Sequence, residues 1–202
     1  MNVKKRNGIE NNDRGFSLIE LIVAILIMSV IMLAVVTLIA SSRAAYRGAI
    51  TEATIQGETE TVRNFINEIA IEAKDYGIRE VGDAGNKCLW FLAPNNEVSD
   101  KSEYCYYCIL FEKAADDNGT LRYKKLAPTI NVDTVTDIEP YLSDIVGDDY
   151  SLLAEHVKSI MCTKVLLSTG KADPLIIVDL GMSFNGSTQE KRLMFAGRNI
   201  GR

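Results

Sequence analysis

The chain has 202 residues, 47% of them hydrophobic and 24% charged, with a formal net charge of −5. That length accommodates one globular domain plus a short appendage and excludes two sizeable domains, so a single core is expected. The acidic balance argues against direct nucleic-acid binding, which depends on Lys and Arg neutralising phosphates.

The positive charge at the start is local. Lys4, Lys5, Arg6 and Arg14 outweigh Glu10 and Asp13, and the apolar run from Leu21 to Ala40 is then interrupted only by Ser29 and Thr37. At about 1.5 Å per residue, a helix of that run matches a hydrocarbon layer of about 30 Å. A basic flank of this kind is kept on the cytoplasmic side, which places the rest of the chain outside. A secretory signal peptide fits poorly, because the run exceeds the usual apolar region and Ala40, Ser41 and Ser42 make a weak cleavage site. A plain membrane anchor explains the run but gives no reason for Glu20, since a carboxylate in a spanning segment is costly and marks a function or a partner.

Gly15-Phe16-Ser17-Leu18-Ile19-Glu20, followed by the apolar run, resembles the N-terminal signal of type IV prepilins and of the pseudopilins of type II secretion and DNA-uptake systems. The resemblance covers about residues 1–40. It implies that a prepilin peptidase cuts after Gly15 and methylates the new amine of Phe16, and that Glu20 pairs with the N-terminal amine of a neighbouring subunit. Further implied partners are other pilin or pseudopilin subunits through the N-terminal helix, an assembly platform protein, and the inner or cytoplasmic membrane before assembly. Opposite charges attract more strongly in a low-dielectric bundle, and breaking a buried pair strands a charge, so such a pair sets register. One departure from the family is Thr37, which stands where many relatives have a helix-breaking proline; local unwinding there is not expected on the same ground.

After Ala40 the sequence continues in helical rhythm. Val62, Phe65, Ile66, Ile69, Ala73 and Tyr76 recur at helical spacing, with Glu58, Arg63, Asn67, Glu68 and Glu72 on other faces. This predicts one helix from about Ser17 to Tyr76, ended near Gly77, with Gly48 and Gly57 as candidate bends. The expected organisation is a cleaved basic leader at 1–15, a transmembrane or filament-core helix at 16–40, an amphipathic continuation at 41–77 and an exported head at 78–202.

Beyond Gly77 the residues 81–86, VGDAGN, read as a turn, and KCLWFLAP and YCYYCILFEK as strands rich in aromatic and β-branched residues. ADDNGT at 115–120 reads as a hairpin turn into LRYKKLAP. Thr129 to Asp149 reads as loop with a short helix near Tyr141 to Val146, SLLAEHV as a helical turn, and a strand is expected from about Val157 to Ser168. Ile176, Val178, Leu180, Met182 and Phe184 alternate with more polar positions, and Asn185-Gly186 is a strong two-residue hairpin signal leading to Leu193 and Phe195 on the return strand. The fold class is α+β: a long N-terminal α-helix with a C-terminal antiparallel β-sheet packed on its distal half, the lollipop of pilins. The blocks YCYYCILFEK to LRYKKL, and LLAEHVKSI with a hairpin ending in GRN, are similar to the sheet region of J-type minor pseudopilins and related minor pilins.

Other chemistry finds little support. Cys105 and Cys108 have the gap of a zinc or redox half-site, but Cys88 and Cys162 supply no second pair, and on a strand Cys105 and Cys108 face opposite sides. Two states stay open: one disulfide linking Cys88 to Cys105 or Cys108 across a hairpin, or free and mostly buried thiols. His156 is the sole histidine and reads as structural. Asp116, Asp117 and Asn118, and Asp148 with Asp149, are acidic sites of the kind that bind calcium, but short acidic turns are usually solvated. No phosphate-cradling glycine loop occurs, so no metal, cofactor or catalytic residue is expected. The leading expectation is a structural filament subunit; the rival is a single-pass membrane-anchored extracytoplasmic binding domain with no filament role.

Overall fold

The computed structural model describes residues 17–82, 85–95, 104–114, 118–130, 138, 150–163 and 175–200. Helix α1, Leu18–Glu72, is followed by seven strands: β1 (Asp75–Val81), β2 (Asn86–Pro94), β3 (Tyr104–Lys113), β4 (Gly119–Ile130), β5 (Ser151–Thr163), β6 (Leu175–Phe184) and β7 (Ser187–Ala196). The fold is α+β, and the strands form one curled antiparallel sheet in sequence order. The chain divides into two units, Met1–Gly48 and Ala49–Arg202, described in turn.

In the first unit every described residue is exposed. In the second, burial begins on α1 at Thr51 and recurs at Ile55, Thr59, Val62, Ile66, Ile69 and Ala70. That spacing continues the apolar stripe expected from Val62 onward, extended toward the N-terminus by Thr51, Ile55 and Thr59. Thr59 lies in the stripe because its hydroxyl donates to the Ile55 carbonyl at 2.7 Å, satisfying the polar group inside the helix.

The helix ends at Glu72, short of the expected Tyr76. The amide of Lys74 donates to the Leu92 carbonyl at 2.8 Å, so sheet pairing takes over a donor that another helical turn would use. Tyr76 and Gly77 belong to β1 instead, a strand unanticipated in the sequence. The exposed carbonyls at the helix end find partners in the C-terminal tail: the Arg198 amide donates to Ile71 O at 3.1 Å and Asn199 Nδ2 to Glu72 O at 3.4 Å. Gly48 and Gly57 are both helical, and α1 runs through them.

The turn between β1 and β2 has Gly82 and Gly85 at positive φ, as VGDAGN suggested. β2, β3 and β4 fall where expected, and Ala114 N–H donates to Asn118 O at 2.8 Å to close the β3–β4 turn. SLLAEHV is the first half of β5, not a helical turn. Its buried positions Ala154, Val157 and Ile160 are three apart because the register shifts on both sides of this strand, so bulges imitate a helical spacing. β5 therefore begins six positions before the expected Val157 and is described to Thr163. The Asn185-Gly186 turn has φ values of 51° and 80°, the two left-handed conformations of a type I′ hairpin. The short helix expected near Tyr141 to Val146 lies outside the described residues.

Two buried clusters occupy the two sides of the sheet, against the single core expected. The larger joins the α1 stripe to Leu89, Phe91, Ile109, Leu121, Val157, Ile176, Val178, Leu180, Met182, Leu193 and Phe195. The smaller comprises Val81, Cys88, Trp90, Leu92, Tyr106, Cys108, Leu110 and Leu126, closed by Ile138 and Tyr150. β2 and β3 are apolar at consecutive positions because both their faces are covered.

Candidate functional site

The N-terminal unit is built to have an apolar surface. Its large side chains stand in the open: Leu18 is 77% exposed, Met32 71% and Leu38 65%. The best window of this helix has a mean hydropathy of 3.1, and the helix is long and apolar enough to cross a bilayer. Three of its hydroxyls are turned inward on the backbone. Ser29 donates to Ile25 O at 2.7 Å, Thr37 to Ala34 O at 2.9 Å and Ser41 to Leu38 O at 2.9 Å. Each such bond removes a polar group that apolar surroundings would leave unsatisfied. At Thr37 the helix is continuous.

Glu20 closes the start of this helix. Ser17 N–H donates to Glu20 Oε2 at 2.8 Å, and Glu20 N–H donates to Ser17 Oγ at 3.3 Å. These reciprocal bonds form a capping box, with Ser17 as N-cap and Glu20 three residues on, and the carboxylate also lies favourably on the positive end of the helix dipole. The signal for it, Ser-x-x-Glu ahead of an apolar run, is present in Ser17-Leu18-Ile19-Glu20 and was missed in reading the carboxylate only as an intersubunit partner. Gly15 and Phe16 lie outside the described residues.

The remaining candidates are dispersed through the sheet unit. All four cysteines are free thiols. Cys105 and Cys108 do face opposite sides of β3: Cys108 joins the outer cluster, whereas Cys105 points to the other face and donates to Ala93 O at 3.7 Å. Cys162 is half-buried on β5, in a shallow depression with Ile78, Arg79, Lys87 and Met161. His156 is a tie between elements: its Nδ1 lies 2.6 Å from Glu58 Oε1 on α1, and its ring meets Phe184 edge-on with centroids 4.3 Å apart. Of the acidic candidates, Asn118 is described, while Asp116, Asp117, Asp148 and Asp149 lie outside the described residues. Among the described residues no three His, Cys, Asp or Glu side chains form a metal-binding group.

Comparison with known proteins bears on the N-terminal segment. The family model described as the prokaryotic N-terminal methylation motif matches residues 11–36, a stretch holding Gly15, Phe16, Glu20 and most of the apolar run. No curated protein and no solved structure matches the chain. A motif of this type points to a structural subunit and not to an enzyme. The chain carries, at residues 11–36, the class III signal peptide of type IV pilin-like precursors.

Proposed function

We propose that this protein is a minor pilin or pseudopilin, a structural subunit of a type IV pilus-like or type II secretion or DNA-uptake filament. The observation that carries the reading is the pairing of the methylation motif with a helix whose apolar side chains are all exposed from Leu18 to Ile50. A prepilin peptidase cuts after Gly15 and methylates Phe16. The precursor is held in the cytoplasmic membrane with residues 1–15 inside and the sheet unit outside, in line with the basic flank. Removing the leader on the cytoplasmic side leaves the apolar helix on the mature chain, where it packs against the same kind of helix from other subunits on an assembly platform. Glu20 then sets register against a neighbour's amine.

The capping box favours one rival reading, because it gives Glu20 a task within its own helix. Under that reading the chain is a single-pass anchor bearing an extracytoplasmic binding domain. Co-expression with a prepilin peptidase, followed by mass spectrometry of the mature N-terminus, tests the proposal. The expected product begins at N-methylated Phe16; an intact leader, or a cut after Ala40, overturns it.

A further inference from the structure

The outer cluster of the sheet brings together two thiols that the sequence leaves twenty positions apart. Cys88 on β2 and Cys108 on β3 are both wholly buried. Cys88 pairs with Leu110 and Trp90 with Cys108, so the cysteines are diagonal neighbours on one face of adjacent antiparallel strands, and their thiols hydrogen-bond to each other. The other two cysteines have different surroundings: Cys105 belongs to the opposite face and Cys162 to β5. Lys124 pairs with Cys108 from β4, and its ammonium lies 5.4 Å from the centre of the Tyr150 ring. Tyr150 and Ile138 close the cluster.

We propose that Cys88 and Cys108 are a built oxidation site, joined in the exported domain as a cross-strand cystine that forms before Tyr150 and Ile138 cover it. The reaction is thiol–disulfide exchange with a disulfide oxidant, either a small one such as oxidised glutathione or an exported oxidoreductase. One cysteine thiolate attacks a sulfur of the oxidant, giving a mixed disulfide and releasing one thiol. The second thiolate then attacks the cysteine sulfur of that mixed disulfide and releases the second thiol. The pair thus loses two hydrogens and two electrons, and the oxidant gains both as two thiols.

Timing follows from chemistry and burial. The nucleophile is the thiolate, and in the folded protein the hydrogen bond to Cys88, followed by burial, holds the Cys108 thiol far above its ordinary pKa; only the Lys124 charge opposes this. Tyr150, packed against the same cluster, is pushed upward as well, by burial and then by the two sulfurs. The folded, reduced pair is therefore inert, whereas β2 and β3, adjacent in sequence, can pair before the cover closes. A diagonal pair starts farther apart than a directly opposite one, so the resulting cystine carries strain and is the more easily reduced.

Occurrence of the cystine in cells rests on the proposed export of the sheet unit, since disulfides persist in oxidising compartments. The test uses the full chain in detergent micelles, unfolded and reduced, then refolded in reduced and oxidised glutathione, with remaining thiols alkylated and peptides mapped by mass spectrometry. The expected map links Cys88 to Cys108, with Cys105 and Cys162 alkylated, and the link persists in Cys105→Ala. Oxidised glutathione added to already folded, reduced protein should form the link on the order of tenfold or more slowly. Four alkylated cysteines after oxidative refolding, or a link to Cys105 or Cys162, would overturn the proposal. The same map on chain extracted from cells with thiols trapped at lysis separates the two premises. A link there supports both; a link formed only in vitro overturns the exported placement and leaves the thiol pair's chemistry standing.

Discussion

Glu58 Oε1 lies 2.6 Å from His156 Nδ1, joining α1 to β5 across 98 positions of sequence. The second carboxylate oxygen accepts the backbone N–H of His156 at 3.0 Å and of Glu155 at 3.3 Å. One side chain thereby serves three donors at the edge of the core, where the carboxylate and the imidazole are 20% and 25% exposed. The helical rhythm placed Glu58 off the apolar stripe; the position is a tie between helix and sheet. Glu58→Ala leaves those donors without their acceptor, and the expected loss is about 1–3 kcal/mol of unfolding free energy. Glu58→Gln keeps a carbonyl acceptor and should lose less. Denaturant titration of the full chain in detergent measures both, and equal stability of the parent and the Ala variant would contradict the tie.

The capping box gives Ser17 and Glu20 separable effects. Ser17→Ala removes the acceptor for the Glu20 amide and should cost the helix start about 0.5–2 kcal/mol, seen as faster amide exchange over the first helical turn. Glu20→Ala has the same local effect and, if the carboxylate also meets a neighbour's amine, lowers filament incorporation well below that of Ser17→Ala while leaving processing largely intact. Equal incorporation of the two variants would reduce Glu20 to a cap.

Gly77 is required by contact. It pairs with Trp90 in the β1–β2 ladder, and a Cβ there would stand 2.9 Å from the indole Cζ2. Trp90 is itself held edge-on to Tyr106, with ring centres 5.7 Å apart. Gly77→Ala should therefore cost about 1–3 kcal/mol by overpacking, with a shift in Trp90 fluorescence. Trp90 is the only tryptophan, so the spectrum reports this site alone.

Asp179 on β6 takes two hydrogen bonds from Arg192 on β7, at 2.7 and 3.2 Å, which hold its carboxyl below the ordinary carboxylate range. A depressed folded-state pKa means that this contribution is present above the unfolded pKa and disappears as pH falls through the folded one. Asp179→Asn should be less stable than the parent near neutrality, and the gap should close in strong acid. The pair is on the surface, so the gap is small and shrinks with salt. Thermal melts across an acid series provide the measurement; a gap that widens on acidification would reverse the sign.

The elements legible in the sequence are those whose periodicity had one cause. Ile176, Val178, Leu180 and Met182 alternate because one face of β6 meets the core, and all four are wholly buried. Asn185-Gly186 announces its turn by chemistry alone. The helix end was hidden because Ala73 and Tyr76 are wholly buried although neither is helical, so the apolar rhythm outlasts the helix that began it. β5 was misread for the converse reason, its bulges spacing Ala154, Val157 and Ile160 by three. The outer cluster depends on Ile138 and Tyr150, distant in sequence from the strands they cover, and no local pattern reveals such a lid. At the candidate site the motif was legible and the Ser17–Glu20 cap was there to be read, but the Glu58–His156 tie depends on sheet register.

The buried half of α1 is tethered at both its ends by a single hairpin. Asn185, in the β6–β7 turn, donates to Thr51 Oγ1 at 3.3 Å where burial begins, and Arg198 and Asn199, just past β7, hold Ile71 and Glu72 where the helix stops. β7 therefore runs alongside the helix between two anchor points. A force pulling the helix along its axis would load both anchors and the intervening packing together, in shear, where a helix fixed at one end would peel away contact by contact. Such an attachment resists axial load, and it makes the β6–β7 hairpin a mechanical link between helix and sheet beside the Glu58–His156 tie.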